Sequence, residues 1–173
     1  MPKAVEKGKG APRSEAKRAQ RPDAMSLTGL EVAGTFELVA SIKRGLEYGS
    51  MEHFIRKANL QRDEAIDLVG ISARTLVRRK EQGRLSPDES DCLVRAARVV
   101  SQAQELFEGD AAAANRRLKT SLPALGRATP MEYAGTEAGA REVEALIYRL
   151  EYGVFLIYPV KCFLSVLSAA GFD

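Results

Sequence analysis

The sequence predicts an all-α protein, a helix-turn-helix bundle followed by a second helical domain. Three observations lead there. No stretch alternates apolar and polar residues with the period of two that a strand requires. Apolar residues instead recur every three or four positions, as in Leu93, Ala97, Val100, Ala103 and Phe107. Helix starts are also written in the chain: Ser86-Pro87-Asp88-Glu89 and Thr129-Pro130-Met131-Glu132 each place a capping hydroxyl before a proline at the first helical position.

In chain order, residues 1–25 hold Val5 as the only large aliphatic side chain before Met25 and cannot bury enough surface to order themselves. A flexible basic arm is the expectation. Between Leu27 and Asn59 two helices are expected. The first has an apolar face of Phe36, Leu38, Val39 and Ile42 and ends near Gly45; the second is capped by Ser50 and turns Phe54, Ile55 and Ala58 inward. Residues 61–69 supply Ala65, Leu68 and Val69 at helical spacing. Gly70 offers a positive φ for a sharp corner, and Ser72 can cap a helix over Ala73–Gln82. Gly83 closes that helix as a left-handed cap. The long helix from Pro87 to about Phe107 buries one stripe. A short helix follows over Ala111–Leu118 behind Gly109-Asp110, then a loop over Ser121–Ala128. A single short helix starting at Thr129-Pro130 and ending at Gly135 comes next, and finally a helix from Thr136 to about Tyr152. That last helix sets Val143, Leu146, Ile147, Leu150 and Val154 against Arg141, Glu142, Glu144, Arg149 and Glu151.

Function is most legible at 73–84. Ile71 and Leu76 would point inward, leaving Arg74, Thr75, Arg78, Arg79 and Lys80 outward, which is what a recognition helix needs to lie on phosphates and probe base edges. Ser72, Arg74, Thr75, Arg78 and Arg79 are the expected DNA-binding set, with Lys80 and Arg84 toward phosphates. Arg79 falls where many such motifs carry an aliphatic core residue, so a shallow seat for this helix is expected.

Charge supports local rather than global attraction to nucleic acid. The chain has 173 residues, 45% hydrophobic, and a net charge of +3. Residues 1–23 carry seven Lys/Arg and three acids, a net +4 that leaves −1 for all the rest. Affinity for a duplex must then come from the arm and the helix at 74–84. Other chemistries are poorly supplied. Cys92 and Cys162 have no second pair and His53 is the lone histidine, so no zinc site or disulfide framework can be assembled. No Ser/Cys–His–Asp set and no phosphate-cradling glycine loop is present, and Glu142 and Glu144 are on opposite or solvated faces, so an enzyme is not expected. No cofactor is expected either. With no apolar segment behind the N-terminal charges and a C-terminal apolar run broken by Pro159 and Lys161, neither a signal peptide nor a membrane span is predicted, and the cytoplasm is the expected compartment.

Several separated segments, Arg74-Thr-Leu-Val-Arg-Arg-Lys80, Arg84-Leu-Ser-Pro-Asp-Glu-Ser90, Leu93-Val-Arg-Ala-Ala-Arg-Val99, Ala124-Leu-Gly-Arg-Ala-Thr-Pro130, Thr136-Glu-Ala-Gly-Ala-Arg-Glu142 and Glu151-Tyr-Gly-Val154, resemble the Xre/ParS/MbcA antitoxins over roughly residues 36–155. The resemblance implies a type II antitoxin that neutralises a RES-domain toxin, an NAD-consuming enzyme of ADP-ribosyltransferase-like fold, and represses its own operon as a homodimer within a larger toxin–antitoxin complex. It divides the chain into a basic arm (1–25), a helix-turn-helix domain (26–85), a toxin-binding and dimerisation domain (86–155) and an apolar extension (156–173). It also puts Arg149, Glu151, Tyr152, Gly153, Val154 and Phe155 at the toxin, where Tyr152 and Phe155 could fill a cleft built for flat rings. Arg117-Leu118 stands where many family members have Trp-Leu, and the apolar extension runs past the usual end. The reading from another class is a stand-alone dimeric helix-turn-helix repressor, which would have no toxin partner.

Overall fold

The computed structural model describes residues 23–152, and within them every regular element is helical. The expected arm (residues 1–22 of it), Gly153, Val154, Phe155 and the extension at 156–173 lie outside the described residues. The elements are α1 (Ala24–Thr28), α2 (Thr35–Arg44), α3 (Tyr48–Lys57), α4 (Arg62–Val69), α5 (Ala73–Gln82), α6 (Pro87–Leu106), α7 (Ala111–Leu118), a 3-10 turn (Pro123–Leu125), α8 (Pro130–Tyr133) and α9 (Glu137–Tyr152).

The starts of α5, α6, α7 and α8 follow from their caps. Ser72, Ser86, Asp110 and Thr129 each accept a backbone N–H from the first turn, and at Ser86 and Thr129 a glutamate three residues on closes the capping box. Gly70 and Gly83 end α4 and α5 in the left-handed region at φ 75° and 71°.

The centre of the molecule is α6, and its burial is not the single stripe that the spacing predicts. Ser90, Leu93, Val94, Arg95, Ala96, Ala97, Val99, Val100, Ser101, Ala103 and Gln104 are all buried, because α1, α2 and α4 pack on it from the N-terminal side of the chain while α7 and α9 pack on it from the C-terminal side. The side chains left almost wholly without solvent contact, among them Met51, Phe54, Leu68, Leu76, Leu93, Val99, Val100 and Val143, come from both halves and form one core. At roughly 1.5–3 kcal/mol for each large apolar side chain removed from water, that shared core outweighs any surface ion pair.

Two expected features are corrected. Ser50 does not cap the second helix: α3 begins at Tyr48, with Glu47 in the capping position and making no side-chain cap bond. Tertiary pairing sets that start, since the Tyr48 N–H donates to the Gly83 carbonyl (3.0 Å), Glu47 forms an antiparallel bridge with Arg84, and Tyr48 is buried. The expected apolar face of α2 also splits. Leu38 and Ile42 pack on the core, whereas Phe36 (87% exposed) and Val39 (43%) face outward, because α2 lies on the surface and buries none of its residues fully.

Hydrogen bonds from the interior fasten the halves together. The Asn115 carboxamide on α7 donates to the Ala58 and Asn59 carbonyls at the end of α3 (2.9 and 2.8 Å), and the Leu46 N–H donates to Ser90 Oγ on α6 (2.8 Å). Gly45 permits the close approach of the Leu85 backbone beside it, whose N–H donates to the Leu46 carbonyl (2.8 Å): at φ +80° a side chain at 45 would be strained, and its Cβ would run into the Leu85 carbonyl. Asn115→Ala is expected to lower the unfolding free energy by about 1–3 kcal/mol in urea titration, since the donor to the buried end of α3 is lost; a change within error would mean water replaces the carboxamide at no cost.

Candidate nucleic-acid interface and partner face

Leu76, with Ile71 just ahead of the cap, anchors α5 in the core, and its far side is open to solvent. Arg74, Arg78 and Lys80 are exposed. Ser72 is committed to the cap: its Oγ accepts from the Thr75 N–H (3.1 Å) and shares a 2.8 Å hydrogen bond with the half-buried Thr75 hydroxyl. Arg84 is exposed too, but its Nη1 donates to the Arg44 carbonyl (3.2 Å) and its backbone is in the bridge to Glu47, so it is tied to the base of the bundle.

Arg79 corrects the expected outward set. Its Nε donates to both Glu89 carboxylate oxygens (3.0 and 2.7 Å) and its Nη1 donates to Gln82 Oε1 (2.7 Å), with side-chain exposures of 20% for Arg79 and 15% for Glu89. The position that is aliphatic in many helix-turn-helix units keeps its inward direction here, and a charge can occupy it because α6 presents an anion. Glu89 simultaneously accepts from the Ser86 N–H (2.8 Å). Burial pushes its carboxyl pKa up, but the hydrogen bonds from Arg79 and Ser86, with the Arg79 charge, outweigh burial and hold it below its ordinary value.

At the other end of α6, α9 runs beside it. Gly139 makes this possible, since a Cβ there would collide with the Tyr133 carbonyl of α8. The inner side of α9 buries Val143 and Ile147. Glu144, expected on the solvated face, turns to Arg98 Nε (3.3 Å) on α6. Arg95, buried on α6, donates to Cys92 Sγ (3.2 Å) and the Gly135 carbonyl (3.4 Å), with Glu137 3.7 Å away. The hydrogen bond from Arg141 lowers the Glu137 pKa; burial opposes this weakly, and the charges of Arg98 and Arg95 assist it. Between α6 and α9 runs a groove of about 470 Å³ lined by residues that include Gln102, Glu105, Glu144, Ile147, Tyr148 and Glu151.

Of the expected partner-binding residues, Arg149 lies 3.6 Å from Glu142 on the outer side of α9, Glu151 borders the groove and Tyr152 is the last residue of the helix. Tyr148, 57% exposed in the groove wall, was not in the expected set, although its spacing of four and three from Glu144 and Glu151 puts it on their side of the helix. Val77, 58% exposed on α5, is a second residue that counting charges passes over. No group of three or more His, Cys, Asp or Glu among the described residues is placed to hold a metal ion, and no described helix is long and apolar enough to cross a membrane.

Comparison with known proteins matches two family models in tandem. Residues 37–98 match the antitoxin Xre-like helix-turn-helix domain, and residues 102–153 match the antitoxin Xre/MbcA/ParS C-terminal toxin-binding domain. The chain is 38% identical over 128 residues to an antitoxin Xre of Yersinia enterocolitica, covering 73% of this chain and 86% of that protein. It is 31% identical over 118 residues to an antitoxin Xre of Photorhabdus laumondii (68% and 80%) and 31% identical over 127 residues to one of Pseudomonas putida (71% and 76%).

Because the Glu89 pKa is depressed in the folded protein, its contribution to stability is complete above the pH where an unfolded glutamate titrates, about 4.3, and is lost as pH falls through the lower folded value. Glu89→Gln is therefore expected to destabilise the protein at neutral pH and to remove part of the loss of stability below pH 4.3 in urea titrations run across pH. An acid limb identical to that of the unaltered protein would assign the loss to other carboxylates.

Proposed function

The chain belongs to the Xre antitoxin family, with a helix-turn-helix domain ahead of a toxin-binding domain, and on that footing we propose how the two ends of the molecule divide the work. The C-terminal end neutralises a RES-type, NAD-consuming toxin. There α9 and the groove beside α6 dock on the toxin, and the segment Tyr152-Gly153-Val154-Phe155, continuing from Arg149 and Glu151, occupies its active-site cleft. The N-terminal end binds operator DNA as a homodimer and represses the operon, with Arg74 and Arg78 at base edges, Lys80 and Arg84 toward phosphates, and Ser72 and Thr75 fixing the start of the helix. Arg79 is withdrawn from that set and positions the helix instead. A DNA-bound regulator of this kind works in the cytoplasm and needs neither cofactor nor catalytic residues.

One observation carries the DNA-binding part: Leu76 and Arg79 are turned inward, while Arg74 and Arg78 stand exposed on the opposite side of the same short helix and Lys80 is exposed on its flank. A basic helix that served only as a solvated face would have no need of an inward arginine pinned by a two-oxygen ion pair. Arg78→Ala is expected to cost about 1–3 kcal/mol of operator affinity if Arg78 pairs with a guanine, or to reduce the salt slope by about one if it meets phosphate. Unchanged affinity and slope in fluorescence anisotropy would place the duplex elsewhere.

For the toxin, truncation after Tyr152 leaves every described helix intact. Co-expressed with the adjacent toxin gene and assayed for NAD depletion, the truncated chain is expected to remain bound but to release toxin activity that the full chain silences. Full neutralisation by the truncated chain would remove the plugging role from 153–155.

A further inference from the structure

We propose that Val77 reads a thymine 5-methyl group in the major groove, which makes it a specificity-determining residue of α5. The proposal rests on the DNA-binding reading given above. With Leu76 and Arg79 marking the inward side, 100° per residue puts Arg74 and Glu81 at the crown of the helix, with Val77 and Arg78 to either side of it. Val77 is therefore on the face turned away from the protein, 58% exposed, amid the cations Arg74, Arg78 and Lys80 and the single carboxylate of Glu81.

Neither folding nor packing accounts for a valine there. A β-branched residue on an exposed helix position costs up to about 0.7 kcal/mol relative to alanine, and Val77 makes no return through core burial. A single exposed aliphatic residue is ordinary on a protein surface, but this one sits where an anionic partner must lie if the flanking arginines and lysine are to be used. The partner that matches those flanking charges is a duplex. Base edges in its major groove offer mostly hydrogen-bonding groups, and the one that protrudes as an apolar group is the thymine methyl. Arg74 and Arg78 can satisfy phosphate or guanine; Val77 can satisfy only the methyl. Phe36 and Val39, the other exposed apolar pair, have charges of both signs on their helix, Glu37 as well as Lys43 and Arg44, and so name no partner.

The test uses the full-length protein and a duplex that it selects from a random pool. Each thymine of the selected duplex is replaced in turn by deoxyuridine, which keeps the Watson–Crick pair and removes only the methyl. Burial of one methyl is worth roughly 0.8 kcal/mol, so affinity is expected to fall about three- to fivefold at one or two positions and to be unaffected at the others. Val77→Ala, checked by circular dichroism to retain its helix content, is expected to lose a similar factor on the thymine duplex and to show no further loss on deoxyuridine at those positions. Uniform indifference to deoxyuridine, or equal losses for Val77→Ala on both duplexes, overturns the assignment while leaving DNA binding intact. Failure to select any duplex overturns the DNA-binding reading itself and the Val77 assignment with it. A Val77→Ala variant with unchanged DNA affinity that no longer retains a second copy or the toxin would reassign the residue to a protein interface.

Discussion

Burial of α6 on all but one narrow stripe, the one that carries Asp91 and Arg98, is the constraint from which the remaining geometry follows. A 20-residue helix with one apolar stripe could sit at the edge of a bundle; one that buries serines, a glutamine and an arginine along with its aliphatic residues must be enclosed. The enclosing helices come from both sides of it in the chain, so neither half completes its core alone. The polar residues carried inside by this arrangement are then used as fasteners. Ser90 receives the Leu46 N–H, and Arg95 reaches Cys92 and the Gly135 carbonyl. Asn115, from the neighbouring α7, closes the end of α3.

The same helix joins the two working ends without a linker. Its first turn holds Glu89, which caps the helix and pins α5, while its far half forms one wall of the groove completed by α9. Only Gly83, Arg84, Leu85 and the capping Ser86 lie between the two helices. The contacts that matter here are partly buried. Arg141–Glu137, an exposed pair four residues apart on α9, contributes a few tenths of a kcal/mol, whereas Arg79–Glu89 engages both carboxylate oxygens in a pocket that water reaches poorly.

Much of this was legible in the sequence because it is local. Ser72, Ser86, Asp110 and Thr129 announce their helices through chemistry confined to four residues, and Gly70 and Gly83 announce the turns. What the sequence left obscure depends on distant partners. Ser50 has a capping hydroxyl, yet the bridge between Glu47 and Arg84 moves the helix start ahead of it. Phe36 and Leu38 are equally apolar, and only the placement of α2 on α6 decides which is covered. The charge of Arg79 pointed outward until Glu89, ten residues on, was brought beside it. Gly139 lies in a segment that marks the family, but its physical role, clearance for the Tyr133 carbonyl, needs two helices to be seen. Glu144 was equally ambiguous, since its spacing fits a solvated face and only Arg98 on α6 draws it in.

Because Arg79 is held by both oxygens of Glu89, α5 cannot roll about its own axis without breaking a contact made inside the protein. The angle at which its side chains meet whatever lies against them is thus set before any encounter. New binding preferences can then arise by exchanging single side chains on an unchanging frame, with no need to re-aim the helix.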